Sequence, residues 1–267
     1  MTYDMNQIVG SHDLVLITLD TLRYDVAEAS MREGGTPNFA RLFPGGWEKR
    51  HSPGSFTYAA HHAFFAGFLP TPATPPWPAR LFAARFAGSE TTGPGTCVFD
   101  TPDLVSGLRE CGYHTLCIGG VGFFNKLNPL SQVLPGLFDE SHWSPELGVT
   151  NTDSTRLQFE LAARRLAELP QEKHVFLFIN VSALHQPNRH YLPGAEHDSL
   201  ESHAAALCYV DSQLPLLLEA IRRRSDAMLI ACSDHGTLYG EDGFTGHRVG
   251  HPAVWTVPYA DVILPRA

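Results

Sequence analysis

Residues 227–251, AMLIACSDHGTLYGEDGFTGHRVGH, run from an apolar segment into an Asp-His pair and a glycine-punctuated loop that carries two more histidines. The continuous apolar run Ala227 to Cys232 suits a strand buried on both faces of a mostly parallel sheet. Asp234 and His235 therefore stand at its C-terminal end, the edge where open α/β sheets bind ligands, and Gly236, Gly240, Gly243 and Gly246 supply turns beyond it. A carboxylate beside an imidazole offers two ligands of the kind Zn²⁺ or Mn²⁺ accepts. One adjacent pair makes no site, so the remaining ligands must come from elsewhere in the chain.

The same pattern recurs upstream. Leu14 to Leu19 is a β-rich apolar run that delivers Asp20 at its tip, and Asp25 a few residues on either caps a turn or pairs with Arg23. Thr36 to Leu42 reads as a short capped helix with proline in its first turn, closed by Phe43-Pro44-Gly45-Gly46. His51 to Thr57 reads as a loop, followed by a helix over Tyr58 to Ala66 closed by Gly67 and Pro70. Thr57 sits at that helix start, where free N–H groups and the helix dipole favour an anion beside its hydroxyl, although threonine is also an ordinary N-cap there. His61, four residues on, shares its helix face. Residues 71–96 form a Pro-, Gly- and Thr-rich excursion around an amphipathic piece at 79–86. Helix is expected over Leu104 to Glu110, strand over Gly112 to Ile118, and a glycine-rich turn at 119–122 that does not fit the dinucleotide fingerprint. Further helices are expected over Thr152 to Leu169 and Ser202 to Arg224, and a strand over His174 to Ile179 leads to His185. The alternation of strand and helix, without an internal repeat or linker, predicts one α/β domain over residues 1–267.

Composition narrows the functional classes. A chain of 267 residues with net charge −9 and pI near 5.8 lacks the basic footprint of a nucleic-acid binder. The N-terminus MTYDMNQIVGSHD has no basic start and apolar core of a signal peptide, and no apolar run is expected to span a bilayer, so a cytoplasmic protein without a membrane span is expected. Five scattered cysteines predict neither a disulfide framework nor a thiolate zinc site.

Taken in order, LITLDTLRYD, TPNFARLF, TYAAHHAFFAGFLP and SDHGTLYGEDGFTGH resemble the alkaline phosphatase superfamily, within it the sulfatase-like branch that includes lipid phosphoethanolamine transferases. GYHTLCIG, the strand ending in His185-Gln186-Pro187, YVDSQL and VPYADVILP add weaker echoes, so the resemblance covers nearly the whole chain. It implies a three-layer α/β/α sandwich around a central, mostly parallel sheet. The sequence stops nine residues after Pro258, where many relatives continue, and the expected fold lacks their C-terminal subdomain. Carried over by position, Asp20, Asp234 and His235 match metal ligands and Thr57 the metal-bound nucleophile. His185 matches a histidine facing the substrate oxyanion, and His247 another active-site histidine of the transferase branch. His61 and His251 are expected beside substrate.

The departures are specific. Sulfatases carry a cysteine or serine matured to formylglycine with an arginine four residues on; here Thr57 and His61 hold those positions, and Gly120 and Gly122 replace a lysine and a histidine. The expected reaction is therefore metal-dependent hydrolysis of small or lipid-like anionic phosphate esters through a phosphothreonine on Thr57, with His185 or His247 protonating the leaving group. One ion is favoured, zinc first, with Mn²⁺, Mg²⁺ or Ca²⁺ as alternatives, and a second ion would draw on His185, His247 or His251. The rival readings are a sulfate-ester or phosphonate hydrolase of the same superfamily and a non-catalytic metal-binding scaffold.

Overall fold

The computed structural model describes residues 3–67 and 103–267, with the backbone of a two-residue parallel pair, Phe82–Ala83 and Cys97–Val98. The excursion at 71–96, including the amphipathic piece expected at 79–86, and the Pro70 helix stop otherwise lie outside the described residues.

Seven strands form the central sheet: β1 (Asp13–Leu19), β2 (Glu48–His51), β3 (His114–Ile118), β4 (Glu140–His142), β5 (Val175–Val181), β6 (Ala227–Cys232) and β7 (Thr256–Leu264). Their spatial order is β2-β7-β6-β1-β5-β3-β4. The run β6-β1-β5-β3-β4 is parallel, as continuous apolar strands predict, while β7 lies antiparallel to both β6 and β2. His51, expected to open a loop, instead ends the exposed edge strand β2, whose charged Glu48-Lys49-Arg50 gives no apolar signal and which forms by pairing with β7. The VPYADVILP stretch is β7 itself, so the sheet is mixed.

Because successive strand side chains alternate between faces, one set of strands supplies two cores. Val15, Ile17 and Leu19 of β1, with Leu177 and Ile179 of β5, pack against Phe159 and Leu166 of α2 (Ser154–Glu168) and Leu207, Leu214 and Ile221 of α3 (Leu200–Arg224). On the other face Leu14, Phe176, Phe178 and Met228 pack against Tyr58 and Phe65 of the Thr57–Ala66 helix and Val105 and Leu108 of the Leu104–Glu110 helix. The result is a three-layer α/β/α sandwich.

The helix α3 begins with a reciprocal Ser199–Ser202 capping box and ends on Arg222, Arg223 and Arg224, which suit the negative end of its dipole. Against the sequence expectation, it is long and apolar enough to cross a membrane by length and composition, although its apolar stripe lies in the core. The described cysteines, Cys111, Cys117, Cys208 and Cys232, are all free thiols, as their scatter predicts.

One buried ion pair ties the layers together below the sheet. Arg224 Nε donates to Asp13 Oδ2 at 3.0 Å, and the same guanidinium donates to the carbonyls of Leu166, Leu169, Pro170 and Lys173 at the end of α2. Arg224→Ala would strand a buried carboxylate and several carbonyls, and is expected to lower unfolding free energy by about 3–5 kcal/mol. Urea titration checks this; a loss below about 1 kcal/mol, the range of an exposed pair, would remove the pair's structural role.

Candidate metal and nucleophile site

The site grows from two neighbouring strand ends. β1 and β6 lie side by side, so the residues just beyond them, Asp20 and Asp234, meet at the C-terminal edge of the sheet. Thr21, at φ +66, turns the chain sharply, and its N–H donates to Asp234 Oδ1 at 3.2 Å; the His235 N–H donates to the same oxygen at 3.0 Å. Ser52 Oγ bonds the Asp234 carbonyl. On the other flank, the register of β1 with β5 sets Thr18 opposite Asn180, whose Nδ2 donates to Asp20 Oδ2 at 3.0 Å while its Oδ1 accepts the Val121 N–H at 3.0 Å. The His235 Nδ1–H donates to the Gly236 carbonyl at 2.9 Å, which fixes the tautomer and leaves Nε2 free to act as a ligand.

The Thr57–Ala66 helix, here α1, brings its first residue to this edge. Thr57 Oγ1 stands 3.3 Å from Asp20 Oδ2 and 3.3 Å from His235 Nε2. Phe56, at the N-cap, offers no side-chain oxygen to the first turn, so the head of the helix presents its N–H groups without a capping side chain.

The donor set fits a divalent cation. Asp20, Asp234 and His235 are fully buried and each offers a ligand atom within 4.8 Å of the others. Asp20 Oδ1 and Asp234 Oδ2 have no hydrogen-bond partner, an arrangement that is costly for buried carboxylates unless a cation completes it. Burial, together with the nearby charge of Asp234, pushes Asp20 up to about 6, and burial pushes Asp234 up to about 7. Two carboxylates and an imidazole make an N/O set suited to zinc. Asn180→Ala is expected to weaken metal binding about 10–100-fold by releasing Asp20, as loss of a ligand's orienting partner generally does. Competitive chelator titration reads this, and unchanged affinity would show that Asn180 does not orient the carboxylate.

The remaining histidines divide. His185 and His247 line a cavity of about 370 Å³ together with Thr57, with their rings 5.6 Å apart, and the His247 ring lies 4.5 Å from that of His235. Burial, then His235, His185 and Arg248, push His247 down to about 3, so its ring is neutral in the ligand-free protein. His61 and His251, both expected beside substrate, are placed otherwise. His61 is fully buried: Nδ1 bonds the Thr57 carbonyl at 2.7 Å and Nε2 bonds Thr18 Oγ1 at 3.1 Å, with Phe65, Phe124 and Phe178 around the ring. It does share the helix face of Thr57, but that face turns toward the sheet, and the ring braces the Thr57 backbone from behind. His251 caps the Pro252–Trp255 turn, accepting the Ala253 N–H at 3.0 Å, and bonds Asp242 Oδ2 at 3.1 Å.

Two residues that sequence reasoning passed over also belong here. Asn180 braces Asp20, and Arg248 is a cation lining the cavity beside His247, with its guanidinium 5.6 Å above the Phe56 ring. No local signal marks Asn180 apart from its place at a strand end; Arg248 could have been suspected from its position next to His247.

No family model matches the sequence, and no curated protein matches it. Solved structures do match. The soluble domain of lipooligosaccharide phosphoethanolamine transferase A from Neisseria meningitidis superposes with a TM-score of 0.65 at 15% identity, covering 95% of this chain and 76% of that one. The periplasmic domain of phosphoethanolamine transferase EptC from Campylobacter jejuni gives 0.63 at 12% identity, covering 95% and 79%. A protein in the alkaline phosphatase superfamily from Vibrio parahaemolyticus gives 0.60 at 19% identity, covering 96% and 62%. The fold is shared with these phosphoethanolamine transferase domains and with that alkaline phosphatase superfamily protein. Gly120, expected from the resemblance to stand where sulfatases carry a basic residue, has a physical reason to stay small. A Cβ on Gly120 would stand 2.3 Å from the Asn180 carbonyl oxygen and 2.7 Å from Ser182 Cβ, so no side chain fits there without moving β5.

Proposed function

We propose that the chain is a metal-dependent phosphoryl-transfer enzyme that hydrolyses small or lipid-like anionic phosphate esters through Thr57. The observation that carries this reading is a lone hydroxyl at the head of a helix, 3.3 Å from both a carboxylate and an imidazole of a buried cation-ready cluster. Asp20, Asp234 and His235 would hold the ion beside Thr57 Oγ1, where a divalent metal supplies Lewis acidity that favours the alkoxide and neutralises phosphoryl oxygens.

The chain's own residues supply the rest. His61, bonded to the Thr57 carbonyl, fixes the first turn of α1 so that Oγ1 is held for in-line attack. The Thr57 hydroxyl proton passes to His247 or His185 as the Oγ1–P bond forms, and as the ester P–O bond breaks the same imidazolium returns that proton to the departing alcohol. His247, neutral without ligand, gains basicity when a phosphoryl dianion lies beside it, which is the condition under which it can carry that proton. Arg248 and the N–H groups at the head of α1 balance charge on the equatorial oxygens. Water then cleaves the Oγ1–P bond, releasing phosphate and restoring the hydroxyl.

The test is turnover of nitrophenyl phosphate, phosphodiester, phosphonate and sulfate esters by zinc-loaded and chelator-stripped protein. The expected result is metal-dependent release from the phosphate esters and little from the sulfate. Sulfate as the preferred substrate would reassign the anion. Silence on all four with a stoichiometric metal content would favour the scaffold reading, and silence without retained metal would sink the ligand set.

A further inference from the structure

The cavity in front of Thr57 has a mixed lining: Thr57, His185, His247 and Arg248 are polar or basic, and Val121, Phe123, Leu130 and Val149 are apolar. Among the described residues no carboxylate lines it. The other polar side chains of the lining make bonds within their own loop: Asn128 and Ser131 form a reciprocal capping box, and Asn125 Oδ1 accepts the Leu127 N–H at 2.9 Å. Phe123 is fixed against Phe56 and Tyr58, with ring centroids 6.1 and 5.5 Å away.

Resting on the phosphoryl-transfer reading of this site, we propose that the alcohol esterified in the substrate is neutral and apolar, an alkyl or aryl group rather than an ammonium-bearing one. With the phosphoryl group held by Thr57 and Arg248, the substituent on its bridging oxygen lies against Phe123, Leu130 and Val149. An ammonium there would meet no carboxylate among the described residues and would stand in the field of Arg248, a combination that disfavours cations. Ring faces do not substitute for the missing charge: Arg248 already lies over Phe56, and Phe123 packs between Phe56 and Tyr58. Aliphatic carbon, in contrast, gains from every contact with these walls. A cavity of about 370 Å³ has room for a phosphate and a chain of several carbons beyond it.

Calorimetry on zinc-loaded Thr57→Ala protein, which holds esters without consuming them, separates the possibilities. The probes are inorganic phosphate, propyl phosphate, hexyl phosphate and O-phosphoethanolamine; propyl phosphate and O-phosphoethanolamine differ essentially in a methyl against an ammonium. Propyl phosphate is expected to bind about tenfold or more tightly than O-phosphoethanolamine, since an unpaired ammonium near Arg248 is penalised where a methyl against the apolar wall is favoured. Hexyl phosphate is expected to gain a further factor of about two to four per added methylene, and Phe123→Ala to flatten that dependence on chain length. If O-phosphoethanolamine binds as tightly as propyl phosphate, or chain length has no effect, the inference is overturned while phosphate binding keeps the phosphoryl reading intact. If none of the four binds, inorganic phosphate included, both fall together.

Discussion

Asp234→Asn is expected to raise the thermal midpoint of the metal-free protein by about 2–6 °C while removing its zinc affinity, because the buried charge it deletes is unfavourable without a cation. The asparagine keeps an oxygen to accept the Thr21 and His235 N–H groups and presents an NH₂ toward Asp20 in place of a second carboxylate. Stability and binding therefore move in opposite directions, as expected of a site built to be completed by an ion. The pH dependence has a defined sign. Both carboxyls are raised in the fold, to about 6 for Asp20 and about 7 for Asp234, above the ordinary aspartate value of 3.8. The folded state thus holds protons that the unfolded chain has released, and this contribution is fully present below the unfolded value and lost as pH rises through the folded ones. The midpoint of metal-free wild type should fall between about pH 4 and 7.5, and saturating zinc should reverse the slope by favouring the ionised pair. Calorimetry with and without chelator reads both effects. A lower midpoint for metal-free Asp234→Asn would show that the pair is already satisfied without an ion.

Thr57→Ala is expected to lower kcat/KM on phosphate esters by at least about 10³-fold with zinc content close to wild type, since a nucleophile is lost and the three buried ligands remain. Thr57→Ser, which retains the hydroxyl, should keep turnover within about 100-fold of wild type. Acid quenching during turnover, followed by peptide mass analysis, should find one phosphoryl group on the peptide that carries residue 57 in wild type and in the serine variant, and none in the alanine variant. Turnover by Thr57→Ala at near wild-type rate would move the attack to a water molecule and end the covalent scheme.

How much of this is written in the sequence depends on the range of the interaction that sets each residue's place. Val175–Val181 is buried at every position, and a strand of that kind leaves a continuous apolar run that needs no knowledge of its neighbours. The residues that follow such runs, Asp20 and the Asp234-His235 pair, could therefore be found by position alone. Charged strand β2 could not, since its pairing with β7 and not its own pattern makes it a strand. Asn180 acquires its task from the β1–β5 register, which brings it to Thr18 and Asp20 from 160 residues away. His61 shows the limit of helical spacing: four residues give a shared face with Thr57, but only tertiary packing decides that this face looks into the sheet. Arg248 depends on a loop held by its N–H bond to the Ser55 carbonyl at 2.8 Å, a contact that no local pattern encodes.

The placement of β6 beside β1 also dictates when the cluster can come into being. The bond from Thr21 N–H to Asp234 joins groups 213 residues apart, so the two carboxylates meet only after most of the chain has been synthesised and β6 has entered the middle of the sheet. Such non-local closure belongs late in folding, after the cost of ordering the long intervening chain has been met. A cation bound there would favour the finished sheet over any partly assembled form, so metal supply during synthesis would set the yield of protease-resistant protein as well as the occupancy of mature molecules.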